Sequence, residues 1–257
     1  MKNELSEFIT GFVLRYPEEN STLTRWKEAQ IAVANAANPL FRSLKDLISP
    51  SHALPQDVIP GAKSVLAYFL PFQEQLGKSN QEGRFASREW AIAYEETNQL
   101  IADINLALHE YLGERGYQSS LLPATHNFDR EKLISDWSHR HIAYIAGLGK
   151  FGLNNMLITH KGCCGRIGSL VTNLELEPTP FIQQEHCLFK SNGSCKECVE
   201  RCVNDALHCD RFDRFKCHEI CIQNDIRHPD LGRTEVCGKC VVAVPCSHRD
   251  PIHSNSL

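Results

Sequence analysis

The chain has 257 residues, enough for one large domain or two smaller ones. Its net charge of −4 argues against broad, non-specific binding to nucleic acid, which requires a basic surface. Hydrophobic residues make up 42%, and no run reaches the ~18 apolar residues of a membrane helix. The first residues contain no basic segment followed by an apolar one, so we expect no secretory signal and a cytoplasmic protein without a membrane partner.

The first two thirds of the chain alternates helical and strand patterns. The spacing of apolar residues predicts three helices, over residues 4–16, 24–36 and 86–112. Apolar runs predict three strands, over residues 64–70, 116–122 and 169–172. Two prolines, Pro178 and Pro180, mark the end of this part. We therefore expect an α/β domain over residues 1–180 and a second domain over residues 181–257.

The middle of the chain combines polar side chains with glycines. A helix predicted over residues 131–146 would place His141 and Tyr144 on one face, with His139 on another. Histidine can donate a proton near neutral pH, and tyrosine is a weaker donor. Each of these side chains could equally be a structural group with satisfied hydrogen bonds.

The glycines that follow, Gly147, Gly149 and Gly152, permit close approach of the backbone to a flat or anionic group. Their G-x-G-x-x-G spacing follows a helix rather than a strand, which argues against a Rossmann nucleotide site. The alternative is a glycine-rich turn between packed elements.

The last quarter of the chain contains ten of the twelve cysteines, between residues 187 and 246. Its two motifs are Cys195-x2-Cys198-x3-Cys202 and Cys237-x2-Cys240-x5-Cys246. Closely spaced cysteines with a further cysteine nearby are typical of ferredoxins, in which the outlying cysteine of each run binds the other cluster. We therefore predict two [4Fe–4S] clusters, whose formation supplies much of the folding free energy of this segment.

Two other interpretations of the cysteines remain open. Paired C-x2-C motifs also bind structural zinc, and disulfides would require an oxidising compartment. The vicinal pair Cys163 and Cys164 is poorly placed for a shared disulfide, and we interpret it as two small residues at a tight turn or a reactive pair near a cluster.

A set of short motifs resembles the epoxyqueuosine reductase family, which is related to the reductive dehalogenases. In chain order the motifs are Pro60-Gly-Ala-Lys-Ser-Val65, Ala146-Gly-Leu-Gly149-x-x-Gly152, Gly168-Ser169 and Thr172-x-Leu-x-Leu-x-Pro178, before the cysteine segment. The resemblance implies an α/β (α+β) nitroreductase-like domain that binds cobalamin, followed by a ferredoxin-like domain with two [4Fe–4S] clusters. It also implies that the cofactor is contacted by Gly147, Leu148, Gly149, Gly152 and Ser169.

The resemblance assigns the cluster ligands as well. It implies one cluster on Cys195, Cys198 and Cys246, and a second on Cys202, Cys217, Cys237 and Cys240. The family's first cysteine falls at Asn192, which cannot replace a thiolate, and we expect Cys187 to take its place. Cys221 is an alternative to Cys217, and Cys209 is expected to stay free.

The family's general acid, an aspartate, falls by spacing near Leu133. The candidates for its role are Asp136, His139, His141 and Tyr144.

These residues together predict a reductase in which two clusters reduce a corrin-bound cobalt that acts on a small organic substrate. An external donor of the ferredoxin or flavodoxin type would supply the electrons. The chain ends soon after the last ligand, without the helical repeats that larger members use to contact tRNA, so we expect tRNA to be an unlikely substrate. The alternative function is a two-cluster electron carrier without cobalamin.

Overall fold

The computed structural model describes residues 1–253. Nine α-helices are present in that part of the chain: α1 Lys2–Glu19, α2 Leu40–Leu47, α3 Pro55–Val58, α4 Glu74–Ser79, α5 Arg88–Gly113, α6 His139–Ile145, α7 Leu188–Asn192, α8 Glu197–Glu200 and α9 Arg214–Arg227. The strands are β1 Gln30–Asn35, β2 Ser64–Pro71, β3 Phe128–Asp129, β4 Ile134–Ser135, β5 Lys150–Phe151, β6 Leu157–Ile158 and β7 Gly165–Thr172. The mixed α/β class expected from the sequence is confirmed.

A small antiparallel sheet with the strand order β1-β2-β7 forms the centre of the molecule. All eight residues of β2 are buried, as its continuous apolar run predicts. Successive side chains of a strand point to opposite faces. Accordingly, Leu66 and Tyr68 belong to the core that contains α1 and α5, whereas Val65 and Ala67 belong to the core that contains α6. Helices thus cover both faces of the sheet.

The long helix α5 confirms the prediction over residues 86–112. Ser87 caps its first turn by accepting a hydrogen bond from the Trp90 amide. Its buried side also carries two polar residues, Thr97 and Asn105, and Asn105 accepts a 2.9 Å hydrogen bond from the Tyr68 hydroxyl. This pairing satisfies two polar groups inside the core and fixes α5 against β2.

Three predicted elements differ from the structure. Residues 24–36 contain strand β1 instead of a helix, because their short apolar run pairs with β2. A run this short is compatible with the periodicity of a helix as well as that of a strand. Residues 116–122 contain only one bridging residue, Ser119, opposite Thr172. Of the helix expected over residues 131–146, only α6 forms, since β3 and β4 make a hairpin before it.

The cysteine-rich segment consists of short helices and loops that pack directly on the α/β part. Lys239 is buried, and its ammonium group donates to the carbonyls of Asn80 (2.9 Å) and Glu82 (2.7 Å). Asn224 of α9 accepts a 2.9 Å hydrogen bond from the Ala86 amide. Within residues 1–253, no helix combines the length and apolar character needed to cross a membrane.

Candidate functional site

Four of the cysteines line one small cavity: Cys187, Cys195, Cys198 and Cys246. Cys187 precedes α7, and the turn of α8 brings Cys195 and Cys198 to the same side. Burial, and after it the three neighbouring cysteines, raise the pKa of the Cys198 thiol to about 12. The structure thus brings together the four residues assigned to one cluster, including the substitute Cys187; their binding of iron stays a prediction.

A second group of five cysteines lines a larger cleft: Cys202, Cys217, Cys221, Cys237 and Cys240. Cys217 and Cys221 lie four residues apart on one face of α9. The Cys221 thiol donates to Cys217, and this hydrogen bond lowers the pKa of Cys217. Cys217 in turn raises the pKa of both Cys237 and Cys240, in addition to the larger effect of burial. Cys237 and Cys240 likewise raise the pKa of Cys221, so both cysteines of α9 lie near the C-x2-C pair.

The remaining three cysteines belong to neither group. Cys209 is exposed, whereas Cys163 and Cys164 are buried in the loop before β7. All twelve cysteines are free thiols, so the disulfide interpretation has no support in this structure.

The two cysteine groups fit the predicted clusters. Each group offers at least four thiols, and soft sulfur ligands select iron–sulfur clusters or zinc. Burial is the main cause that raises the pKa of Cys198 to about 12 and of Cys237 to about 11, so these two thiols stay protonated at neutral pH without metal. Metal binding would release those protons and remove the cost of burying thiolates.

The second cysteine group opens onto a cleft of about 820 Å³ between the α/β part and the C-terminal segment. His139, Arg140 and His141 of α6 line it from the α/β side. The cleft is within the size range of cofactor sites, and its lining is mostly apolar. The indole N–H of Trp90, another lining residue, is buried and has no hydrogen-bond partner among residues 1–253. A large cofactor with polar substituents fits these features.

His139 belongs to a chain of hydrogen bonds that runs from Trp137 through Ser169 to the Pro123 carbonyl. The Trp137 indole N–H donates to the Ser169 hydroxyl (2.9 Å), which lies 2.8 Å from His139 Nδ1. His139 Nε2 lies 2.9 Å from the Pro123 carbonyl and must donate to it, so the hydroxyl of Ser169 donates to Nδ1. Burial lowers the pKa of His139 to about 4. The imidazole is therefore neutral, with both nitrogens engaged inside the protein.

The other three proton-donor candidates occupy different environments. His141 lines the cleft, and its Nδ1 lies 2.7 Å from the Ser138 hydroxyl. The Asp136 carboxylate accepts a 2.9 Å hydrogen bond from Ser51 and lies outside the cleft lining. Tyr144 packs against Phe151 and also lies outside the lining. The structure therefore brings His139 and His141 to the cleft and does not bring Asp136 or Tyr144 there.

The glycines at 147–152 approach the protein's own backbone closely. Gly147 has a φ of 79°, and a Cβ there would lie 2.6 Å from the Pro180 carbonyl oxygen. A Cβ at Gly149 would overlap the Ile158 carbonyl. Leu148 is buried, and Gly152 lines the first cysteine cavity. Tight internal packing accounts for these glycines, as in the alternative stated above; their contact with a cofactor stays a prediction.

Sequence reasoning missed the charge of the cleft. Although the chain carries a net charge of −4, the charged residues that line the cleft are three arginines and one lysine against Glu235. The arginines are Arg140, Arg166 and Arg214. They are far apart in sequence, and only the fold collects them. A cleft with this excess of positive charge favours an anionic ligand.

Comparisons with known proteins identify the fold. No family model matches the chain. It is 24% identical over 217 residues to an epoxyqueuosine reductase of Bacillus cereus, covering 78% of this chain and 52% of the relative. A solved epoxyqueuosine reductase superposes with a TM-score of 0.63 at 18% identity, covering 96% of this chain and 65% of that one. The chain is similar to epoxyqueuosine reductases in both sequence and fold. The resemblance predicted from the motifs is thus confirmed.

The epoxyqueuosine reductase-like fold extends to a more distant enzyme. A catabolic reductive dehalogenase superposes with a TM-score of 0.56 at 15% identity, covering 87% of this chain and 30% of the dehalogenase. The chain spans about half the length of the curated relative that it matches.

One expectation is wrong. We expected tRNA to be an unlikely partner and a small organic molecule to be the substrate. The solved epoxyqueuosine reductase with the TM-score of 0.63 was determined with an epoxyqueuosine-modified tRNA-Tyr stem loop. The expectation rested on helical repeats of larger family members, whereas the fold that matches 96% of this chain occurs in a protein solved with a tRNA stem loop.

Proposed function

We propose that this protein is a cobalamin-dependent iron–sulfur reductase that acts on a modified nucleoside in tRNA. The observation that carries the proposal is the cleft, with the thiols of the second cysteine group on one side and α6 with His139 and His141 on the other. A cofactor in this cleft would lie between the source of electrons and the side chains that face the substrate. The similarity to epoxyqueuosine reductases supports a tRNA substrate.

We propose residues 1–180 as a nitroreductase-like domain and residues 181–257 as a ferredoxin-like domain with two [4Fe–4S] clusters. The sheet β1-β2-β7 lies entirely in the first, and both cysteine groups lie entirely in the second. The first cluster would be held by Cys187, Cys195, Cys198 and Cys246, and the second by Cys202, Cys217, Cys237 and Cys240.

When bound, cobalamin supplies the strong reducing chemistry that protein side chains lack. The side chains of the cleft would orient the reactants. Of the four candidates, His141 is best placed to donate a hydrogen bond to the substrate. Ser138 can donate to its Nδ1, which leaves the ring N–H on Nε2. Burial lowers the pKa of His141 to about 4, helped by the neighbouring Arg140 and His52. His141 would thus act as a neutral hydrogen-bond donor to the substrate.

The arginines of the cleft would bind the phosphate groups of the RNA or the cofactor. Arg140 donates a 2.7 Å hydrogen bond to the Asn155 carbonyl, and Arg166 donates a 2.6 Å hydrogen bond to Asn98 and packs over the Tyr94 ring. These contacts hold the guanidinium groups in place while their remaining N–H groups can bind phosphate oxygens.

The test is anaerobic reconstitution with iron and sulfide, followed by titration with cobalamin and an assay with tRNA that carries epoxyqueuosine. We expect a change in the corrin absorption spectrum at micromolar cobalamin and loss of the epoxide oxygen in the digested tRNA, detected by mass spectrometry. H141Q should lower turnover about 100-fold, within the range for loss of a positioned donor.

The matched control is H109Q, since His109 lies outside the cleft and hydrogen-bonds to Ser119. Absence of cobalamin binding by the cluster-loaded protein would contradict the proposal and support the electron carrier instead. Cobalamin binding with unchanged epoxyqueuosine tRNA would contradict the substrate.

A further inference from the structure

A second set of metal-binding side chains lies outside the cleft and outside both cysteine groups. His160 follows β6, His186 lies in the segment before α7, and Asp250 is near the end of the described chain. One nitrogen of each histidine and one carboxylate oxygen of Asp250 all lie within 4.8 Å of one another. Three separate stretches of sequence therefore converge on a single point.

The orientation of His186 is fixed by its hydrogen bond. Its Nδ1 lies 2.8 Å from the Ile158 carbonyl, which can only accept, so Nδ1 carries the proton. In the neutral ring Nε2 is then a bare acceptor, and it lies 3.3 Å from Asp250 Oδ2. Two acceptors at this distance in a buried place repel one another unless a proton or a metal ion lies between them.

Asp250 is held in position by its neighbours. Its Oδ1 accepts hydrogen bonds from the amides of Ile252 (2.9 Å) and His253 (3.2 Å). Its Oδ2 accepts from His253 Nδ1 (2.8 Å) and faces His186 and, at 4.0 Å, His160 Nδ1. Both carboxylates and imidazoles of metal sites are commonly oriented by such outer hydrogen bonds. Asp250 and His186 are each only 2% exposed, so this arrangement is built into the fold.

We propose that His160, His186 and Asp250 bind a divalent transition-metal ion, with zinc as the best match. Two imidazole nitrogens and a carboxylate oxygen form a ligand set that zinc accepts. Tetrahedral zinc with bonds of about 2.0 Å needs ligand atoms about 3.3 Å apart. The 3.3 Å and 4.0 Å separations at Asp250 Oδ2 require only small movements. His160 is 65% exposed, so water can reach the fourth position.

The metal would link Asp250 to the loop after β6, through His160, and to the segment before Cys187, through His186. Pro251, the neighbour of Asp250, lines the first cysteine cavity. The ion would therefore stabilise the walls of that cavity without contacting the cluster itself. This site does not depend on cobalamin, the clusters or tRNA.

The test measures zinc binding by the full chain after anaerobic reconstitution of its clusters, which occupies the cysteines, by competition with a fluorescent zinc indicator and by zinc-edge X-ray absorption. We expect one zinc ion with a first shell of nitrogen and oxygen at about 2.0 Å, whereas zinc on cysteines would show sulfur at about 2.3 Å. Because His160 is exposed, H160Q should fold normally, and it should weaken zinc binding about tenfold or more. D250N, which keeps the shape of the side chain, should weaken it further.

The matched control is H208Q, which removes a histidine that also faces an aspartate, Asp205, at 3.4 Å on the surface. Its zinc affinity should equal that of the unmodified chain. The proposal is overturned by a sulfur first shell, by equal affinity of H160Q and the unmodified chain, or by no zinc binding at all. The last result would mean that His186 is a protonated ion-pair partner of Asp250.

Discussion

Cys163 Sγ lies 3.9 Å from Cys246 Sγ, a relationship that crosses 83 residues of sequence. The contact raises the pKa of Cys246 more than burial does. The Cys163 amide also donates a 2.9 Å hydrogen bond to the Cys246 carbonyl. A residue interpreted from sequence as part of a tight turn therefore touches a proposed ligand of the first cluster.

This contact predicts an effect on redox potential. Hydrogen bonds to cluster sulfurs raise the potential, so C163A should lower the potential of the first cluster, by on the order of tens of millivolts. The measurement is a redox titration followed by electron paramagnetic resonance. C164A is the matched control, because Cys164 is also buried but the thiol contact belongs to Cys163. Equal shifts in the two variants would argue against the contact.

Cys187 should be required for the first cluster. C187S removes one of the four thiols of its cavity, so we expect loss of about half of the iron and sulfide when the protein is reconstituted, since each of two clusters holds four irons. Colorimetric iron and sulfide analysis checks this. C209S should keep the full content, because Cys209 is exposed and outside both groups. Full iron content in C187S would remove Cys187 from the ligand set.

The second cluster should depend on Cys217 and not on Cys221. Both thiols lie near Cys237 and Cys240, but the hydrogen bond between them lowers the pKa of Cys217 and raises that of Cys221, so Cys217 forms a thiolate ligand more readily. C217S is therefore expected to lose the second cluster, and C221S to retain it with an altered spectrum. Iron analysis with electron paramagnetic resonance distinguishes them, and the reverse result would exchange the two roles.

The stability of the fold should fall in mild acid because of His139. Burial lowers its pKa from 6.5 to about 4, so between these values the unfolded state binds a proton that the native state does not. The free energy of unfolding should therefore decrease as the pH falls from 6.5 towards 4 and level off below that, by about 3 kcal/mol in total.

Anaerobic urea denaturation of the unmodified chain and H139Q between pH 5.5 and 7.5 measures this contribution. H139Q should be less stable at pH 7.5 and show a shallower dependence on pH, and H208Q should keep the original slope. Identical slopes for H139Q and the unmodified chain would mean that folding does not change the pKa of His139.

Gly238, inside the second C-x2-C motif, should tolerate no side chain. Its φ is 73°, and a Cβ there would overlap the Trp90 ring. Gly61 has a φ of 79° with open space around it, so G61A isolates the backbone cost of roughly 1–2 kcal/mol. G238A should lose more stability than G61A in thermal denaturation and bind iron poorly at the second position. Similar losses in both variants would show that the Trp90 contact relaxes easily.

The sequence by itself determined the features that are local or periodic. The apolar run at 64–70 and the stripe of α5 reflect burial repeated at a fixed period, and the C-x2-C spacing requires only a tight turn. The substitution of Cys187 for the missing ligand could also be proposed, because Cys187 is the cysteine nearest before Cys195 in the chain.

Tertiary structure decided everything that depends on residues distant in sequence. The strand at Gln30–Asn35 forms because it pairs with β2 by antiparallel hydrogen bonds, whereas its pattern of apolar residues is compatible with a helix as well. The positive cleft collects Arg140, Arg166 and Arg214 from three elements, so a net charge of −4 concealed it. The fold likewise joins His160, His186 and Asp250, which no spacing rule connects, because a ligand set is defined by distances in space.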